Sequence, residues 1–149
     1  MDILNTIITV LAGLLMLTVL VVMHEYGHFS VGRACDIRIE EFGVGFGPKL
    51  FSRVKKGIRY SIRAFPLGGF VQFYGEDDEV DAKEEPRAFN NRPIWQRFLT
   101  ILAGPLSNLA MALVVTVFIL SLFGDYAPQI AAVTPGSSAE EAGVLPGDV

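Results

Sequence analysis

The chain has 149 residues, of which 51% are hydrophobic, and its mean hydropathy is +0.43. This length is enough for one ordinary soluble domain, or for two membrane helices joined by a small module. The formal net charge of −4 argues against nucleic-acid binding, because no basic face dominates. The single cysteine, Cys35, excludes a disulfide within the chain, and we expect it to be a packing residue.

The first predicted element, residues 1–34, is a transmembrane helix. Its stretch Ile3–Met23 carries no charge over about 20 residues, which is enough to cross the hydrocarbon core of a bilayer. The alternative is a cleaved signal peptide, which requires a basic start and a small-residue cleavage site. Here the only charge before the apolar run is Asp2, and the run leads into a histidine and a glutamate. The sequence therefore favours a true span.

The end of this span carries the motif His24-Glu25-Tyr26-Gly27-His28. A four-residue spacing places both histidines on one helix face with their imidazoles aimed at one point. Neutral imidazole is a favoured zinc ligand, and a neighbouring carboxylate can take a proton from the water on the metal. The alternative is an incidental pair on a surface helix, but ionisable groups are costly at the end of a hydrophobic span. We therefore predict that His24 and His28 bind Zn²⁺ and that Glu25 is the catalytic general base.

The position of the motif also predicts the kind of substrate. In a soluble zinc protease the motif helix belongs to a catalytic domain in water, whereas here about 20 apolar residues lead directly into it. The metal would lie at or within the cytoplasmic leaflet. We therefore expect the substrate to be a membrane span itself.

The second predicted element, residues 35–75, is a small antiparallel sheet associated with the membrane. Residues 58–65 alternate between apolar and polar side chains, as is typical of a half-buried strand. Glycines and prolines at 43–48 and 66–69 indicate turns and positions of close approach. The strands are expected near residues 37–46, 49–53, 58–65 and 69–75. Such a sheet could cap the membrane helices, or it could offer an edge strand that pairs with an extended substrate segment.

Residues 76–97 are predicted to be an acidic loop followed by an interfacial segment. The stretch Glu76–Glu85 contains seven carboxylates and one lysine, a composition typical of a solvated loop, so no metal or binding role is assigned to it. Arg92, Trp95 and Arg97 are the expected anchors at the membrane surface.

The next predicted element, residues 98–124, is a second transmembrane helix. It contains Ala103-Gly104-Pro105-Leu106-Ser107-Asn108 near its start, and glycine and proline are tolerated in membrane helices where neighbours satisfy the freed backbone groups. The amide of Asn108 could form an interhelical hydrogen bond or face an intramembrane site. The spacing alone does not decide between these two roles.

The distribution of positive charge predicts the orientation. All 12 lysines and arginines lie between Arg33 and Arg97. The positive-inside rule therefore places residues 35–97 on the cytoplasmic side, with both chain ends extracytoplasmic, in a multi-pass protein of the inner (cytoplasmic) cell membrane.

Five short segments occur in a specific order along the chain: His24–His28, Glu41–Gly47, Pro66–Val71, Phe89–Asn91 and Ala103–Asn108. Together they resemble the site-2 protease family, in particular its bacterial members with an extracytoplasmic PDZ module. The resemblance covers essentially the whole chain. It implies cleavage of membrane-spanning regulators, often anti-sigma factors, after another protease has removed their outer domain.

The resemblance also implies roles for residues that the spacing does not assign. In the family, the strands after the motif form a membrane-associated sheet that engages the substrate in extended form. The resemblance therefore implies substrate binding by Gly43, Gly45 and Gly47, and a position near the active site, also in contact with substrate, for Asn108.

The last predicted element, residues 125–149, resembles the start of a PDZ domain. Ser137 or Ser138 can cap a short helix that runs to Glu141, and Gly143 can end it. A PDZ domain needs roughly 80–90 residues to enclose a core, so we expect this truncated start to be only locally structured.

The resemblance places the family's third zinc ligand, an aspartate, on a later membrane helix that this chain does not contain. Asp36, Glu40 and Glu41 could substitute, but no motif points to them. We therefore expect these 149 residues to be inactive alone, and the full-length protein to be a zinc-dependent intramembrane endopeptidase that acts in regulated intramembrane proteolysis.

The alternative function is that of a non-catalytic membrane protein that binds hydrophobic segments through its sheet and PDZ module. The predicted fold class is the same for both functions, a mainly α membrane protein with two transmembrane helices and a small antiparallel sheet. Expected partners are transmembrane protein substrates, the lipid bilayer and a peptide ligand of the complete PDZ domain, with no role for nucleic acid.

Overall fold

A computed structural model describes residues 2–77, 85–124 and 129–148. Within these ranges the elements are α1 (Ile3–Ala34), β1 (Ile39–Lys55), β2 (Ile58–Phe73), a 3-10 turn (Phe89–Asn91), α2 (Ile94–Phe123) and α3 (Ser138–Glu141). The two strands form one antiparallel sheet. The predicted fold class, mainly α with a small antiparallel sheet, is confirmed. The chain divides into two compact units, Met1–Met111 and Ala112–Val149, and the candidate site lies in the first.

Both long helices have the length and composition of a membrane span. Their apolar side chains are largely exposed; Leu15, for example, is 67% exposed. The second helix begins at Ile94, four residues before the predicted start of the span. Pro93 directly precedes it, and the fixed φ of proline is suited to a helix start. Trp95 and Arg97 therefore lie in the first turn of α2. Their role as anchors at the membrane surface stays a prediction.

The four predicted strands are segments of two continuous strands. Lys56 and Gly57 form the turn between them with φ angles of 53° and 80°, the left-handed pair that a two-residue hairpin turn requires. The predicted turns at 43–48 and 66–69 do not end the strands. Gly45 there has a φ of 83°, so the backbone bends and shifts its register without leaving the sheet.

The bends give β1 two neighbours within the same sheet. Its residues 41–44 pair with residues 69–72 of β2 and also with residues 59–62. The late segment of β2, residues 66–72, has β1 along one edge and α1 along the other. On the α1 side, the Thr18 hydroxyl donates a hydrogen bond of 2.5 Å to the carbonyl oxygen of Pro66. Side chains of α1 therefore bind the backbone at this edge of the sheet.

A small aromatic core joins the end of α1 to the sheet. Phe29, one residue beyond the zinc-type motif, is buried against Phe42, with ring centroids 5.1 Å apart. The ring of Phe73 stacks on Phe89 at 5.5 Å. A Cβ on Gly32 would overlap the Phe73 ring, so the helix can approach the sheet closely only with glycine there. This packing fixes the motif relative to β2.

A buried carboxylate holds the sheet together from within. Glu41 is 4% exposed, and its Oε1 accepts hydrogen bonds from Ser61 (2.6 Å) and Arg63 (3.0 Å). Its Oε2 accepts a hydrogen bond of 2.9 Å from Lys49. Burial alone would raise the pKa of Glu41, but these hydrogen bonds and the charge of Lys49 lower it to about 2.

We expect Glu41→Gln to lower the free energy of unfolding by about 1–3 kcal/mol at neutral pH, because the surrounding cations lose a buried acceptor of opposite charge. The pKa of Glu41 is about 2 in the folded protein, below the value of about 4.3 for an unfolded glutamate. Its stabilisation is therefore fully present above about pH 5 and is lost as the pH falls through 4 towards 2.

Denaturant unfolding in detergent, followed by circular dichroism at several pH values, measures this effect. The matched control is Glu40→Gln, which changes the neighbouring, less buried carboxylate. Equal losses in the two variants would contradict a special role of Glu41.

The second unit contains the end of α2 and a locally folded tail. Of the two serines offered as caps by the sequence, Ser137 takes that position, and its hydroxyl accepts from the backbone N–H of Glu140. The backbone of Ile130 bonds to both Gly147 (2.8 Å) and Asp148 (2.9 Å). Residues 125–128 and 149 of the predicted PDZ start lie outside the described residues.

Candidate metal centre

The two histidines of the motif converge at one point beside α2. His24 and His28 stand one turn apart on α1, with ring centroids 4.7 Å apart and planes at 83°. Both Nε2 atoms lie within 2.7 Å of the position that a Cβ on Gly104 would take. Because Gly104 has no side chain, the two imidazoles can share the space beside it.

A backbone carbonyl of α2 sets the orientation of the His28 imidazole. Nδ1 of His28 lies 2.7 Å from the carbonyl oxygen of Thr100. A carbonyl oxygen can only accept, so Nδ1 carries the hydrogen and Nε2 keeps a free lone pair. Metal-binding histidines usually donate their other N–H to a carbonyl or carboxylate in this way.

The His24 imidazole faces a side chain of α2 instead. Nδ1 of His24 lies 3.4 Å from Nδ2 of Asn108 on α2. The structure thus brings Asn108 to the motif across 84 residues of sequence. The two roles that the sequence left open are not exclusive, because Asn108 links the helices and also faces the site.

Glu25 is held by the sheet. Its Oε2 accepts a hydrogen bond of 3.1 Å from the backbone N–H of Val71 in β2. The carboxylate lines a cavity of about 280 Å³ together with His28 and Thr100. Glu25 therefore stands beside the imidazoles and opens onto a space that a substrate could enter.

A second carboxylate, Glu76, lines the same cavity. Burial raises the pKa of Glu76, and the nearby charge of Asp77 adds to this effect. The acidic stretch was predicted to have no role, and its residues 78–84 lie outside the described residues. Glu76 lies three residues beyond the end of β2, the strand that carries Val71.

Small residues allow the two helices to pack closely around the site. A Cβ on Gly27 would overlap the carbonyl oxygen of Ala103 and would lie 2.7 Å from Oγ of Ser107. The Ser107 hydroxyl donates a hydrogen bond of 2.8 Å to the carbonyl oxygen of Met23. Small and hydroxyl residues are typical of helix–helix contacts in membranes. Sequence reasoning named this segment but did not assign these contacts.

The glycines predicted to bind substrate have structural neighbours in the sheet. Gly43 lies against the ring of Phe70, and the nearest atoms to Gly45 and Gly47 belong to Phe65. These contacts explain why side chains are excluded there. A role of these glycines in substrate binding stays a prediction.

Two of the carboxylates considered as a third metal ligand are engaged in ion pairs. Glu41 forms ion pairs with Lys49 and Arg63. Asp36 forms an ion pair of 2.9 Å with Arg87. Glu40 lines a surface cleft with Arg38. Across residues 2–77, 85–124 and 129–148, no three His, Cys, Asp or Glu side chains converge in a way that would hold a metal ion.

Comparison with known proteins identifies the family. The model of peptidase family M50 matches residues 12–144. The chain belongs to peptidase family M50. This membership confirms the resemblance to the site-2 protease family.

Relatives of this M50 chain are named as candidate zinc metalloproteases. One from Rhizobium meliloti (strain 1021) is 40% identical over 94% of this chain and 41% of its own length. One from Thermotoga maritima is 39% identical over 91% of the chain and 28% of its own length. One from Vibrio cholerae is 38% identical over 92% of the chain and 31% of its own length. The chain thus spans less than half the length of these relatives.

Proposed function

We propose that the protein containing this chain is a zinc-dependent intramembrane endopeptidase, with His24 and His28 as metal ligands and Glu25 as general base. The observation that supports this most directly is the convergence of both Nε2 atoms beside Gly104, with Glu25 adjacent. Family membership and the names of the relatives support the same chemistry. A third ligand would come from a part of the protein outside this chain.

The donor set fits zinc. His28 has its Nδ1 hydrogen bonded and its Nε2 lone pair free, which is the form that binds zinc. Zinc bound there would polarise the scissile carbonyl and acidify the attacking water. Glu25 would take the proton of that water at Oε1 or Oε2 and deliver it to the leaving nitrogen. Before a substrate segment binds, the N–H of Val71 holds the Glu25 carboxylate beside the imidazoles.

The location of the site supports a membrane-spanning substrate. His24 and His28 lie near the cytoplasmic end of α1, if residues 35–97 are cytoplasmic and both termini are extracytoplasmic as the positive charges indicate. Cleavage of a soluble peptide would not require an active site at the end of a membrane span. Membrane-spanning regulators such as anti-sigma factors are the proposed substrates, and a complete PDZ domain would bind a peptide ligand.

The sheet offers a means of handling an extended segment. In a helical substrate the peptide groups are engaged in the hydrogen bonds of the helix. The helix must therefore be unwound before a peptide bond can be hydrolysed. The late segment of β2 lies beside Glu25, so a strand bound near it would present a peptide bond to the site. Gly43, Gly45 and Gly47 would serve this purpose by keeping the neighbouring backbone free of side chains.

The decisive experiment uses the full-length protein in detergent. Zinc is measured by mass spectrometry, and cleavage is measured on a transmembrane segment and on the same segment made soluble by polar substitutions. We expect stoichiometric zinc and preferential cleavage of the transmembrane form. Zinc binding without cleavage of any segment, combined with segment binding, would instead support the non-catalytic function; preferential cleavage of the soluble form would contradict the intramembrane assignment.

A further inference from the structure

We propose that Asn108 is a positioning residue for His24 whose amide takes two orientations, one that donates to Nδ1 of His24 and one that accepts from Nδ1 when Nε2 of His24 binds a metal. This inference rests on the proposed role of His24 as a metal ligand. It concerns which ring nitrogen carries the hydrogen, a property that can be observed without any substrate.

The donating orientation is the one in the structure. Nδ2 of Asn108 faces Nδ1 of His24 at 3.4 Å. An amide nitrogen can only donate, so Nδ1 of His24 accepts and the ring hydrogen lies on Nε2. The amide oxygen, Oδ1 of Asn108, is buried and has no hydrogen-bond partner within the described part of the chain. The amide therefore has an unused acceptor next to the site.

Metal binding requires the opposite arrangement. Nε2 of His24 points to the space beside Gly104 that it shares with Nε2 of His28, so a metal there needs both Nε2 lone pairs. The ring hydrogen of His24 must then move to Nδ1, where it would meet the N–H₂ group of Asn108. Two donors facing each other repel, but a half-turn of the amide brings Oδ1 to Nδ1 within nearly the same volume.

The two histidines thus differ in how they are prepared for metal. His28 is held by a backbone carbonyl, that of Thr100, which cannot turn and always accepts. His24 is held by a side-chain amide that can either donate or accept. The turned amide also directs its N–H₂ group away from His24, which leaves a donor free for a substrate carbonyl. This agrees with the substrate contact predicted for Asn108.

The chain offers a direct spectroscopic test, because it contains only two histidines. With ¹⁵N-histidine labelling of the full-length protein, the signals of these two imidazoles are identified by their loss in His24→Ala and His28→Ala variants. The ¹⁵N shift distinguishes a ring nitrogen that carries a hydrogen from one that does not. We expect the metal-free full-length protein to show no hydrogen on Nδ1 of His24 and a hydrogen on Nδ1 of His28, and the zinc-bound full-length protein to show a hydrogen on Nδ1 of both.

Two substitutions separate positioning from simple packing. Asn108→Leu removes both hydrogen-bonding groups and should weaken zinc binding by about 10–100-fold. Asn108→Asp presents only acceptors, so it should restore zinc affinity and place the hydrogen on Nδ1 of His24 even without metal. The packing control is Ser107→Ala, which removes a hydrogen bond between the helices but should leave both tautomers and zinc affinity unchanged.

Several outcomes would overturn the proposal. A metal-free His24 with its hydrogen on Nδ1, an Asn108→Leu variant with wild-type zinc affinity, or a failure of Asn108→Asp to rescue would each do so. A protein that binds zinc with the expected tautomers yet cleaves nothing would leave the role of Asn108 intact and contradict only the proposed protease function.

Discussion

In the full-length protein, Glu25→Gln is expected to reduce cleavage of a transmembrane substrate by about 10²–10⁴-fold, the usual contribution of a general base. The glutamine side chain has the same length, and its amide oxygen can still accept the hydrogen bond from the N–H of Val71. The geometry of the site should therefore survive while proton transfer is lost. Zinc content should not change, because the proposed imidazole ligands are unaltered.

Glu76→Gln provides the matched control for this variant. Glu76 lines the same cavity as Glu25, but it comes from the loop after β2 and not from the motif. We expect it to lower cleavage by less than about tenfold, since it does not transfer the proton of the attacking water. Wild-type activity in Glu25→Gln, or an equal loss in both variants, would rule out the assignment of Glu25 as the base.

Gly104→Ala is expected to lower zinc affinity by at least about 100-fold and to abolish cleavage with it. Its Cβ would overlap Nε2 of His28 and would lie 2.7 Å from Nε2 of His24. Alanine is a better helix former than glycine by about 1 kcal/mol, so the loss would not come from a weaker helix. Isothermal titration with zinc and mass spectrometry of the purified full-length variant measure the effect.

Gly13→Ala tests whether any glycine substitution in a span has this result. Gly13 lies on α1, and a Cβ there would meet nothing within 4 Å. This variant should bind zinc and cleave substrate like the wild type. If Gly104→Ala also retained zinc, the two imidazoles could not share the space beside residue 104.

The parts of the site that lie within one helix were accessible from the sequence. The spacing of His24 and His28 defines one helix face, and the uncharged run before them defines a span. Gly104 and Thr100 were not predicted as site residues, because their importance comes from contacts with residues more than 70 positions away. The partner of Glu25 was also missed, since a backbone N–H has no signature in the side chains.

The sheet shows a similar division. The alternation in residues 58–65 predicted strand structure correctly, but the glycines between the segments were interpreted as ends of strands. Gly45 and Gly47 have φ angles of 83° and 86°, which bend the backbone while its pairing continues. A sequence pattern indicates that glycine is needed, whereas only the pairing shows whether the chain turns back or merely bends.

The hydrogen bond between Glu25 and Val71 has a consequence for the timing of substrate entry. A backbone N–H serves one strong acceptor at a time, so an extended segment that paired with Val71 would have to displace the Glu25 carboxylate. Arrival of a strand at this edge and release of the base would then be a single event. Without such a segment, the Glu25 carboxylate stays hydrogen-bonded to Val71, and a water molecule that enters the site does not find a free general base.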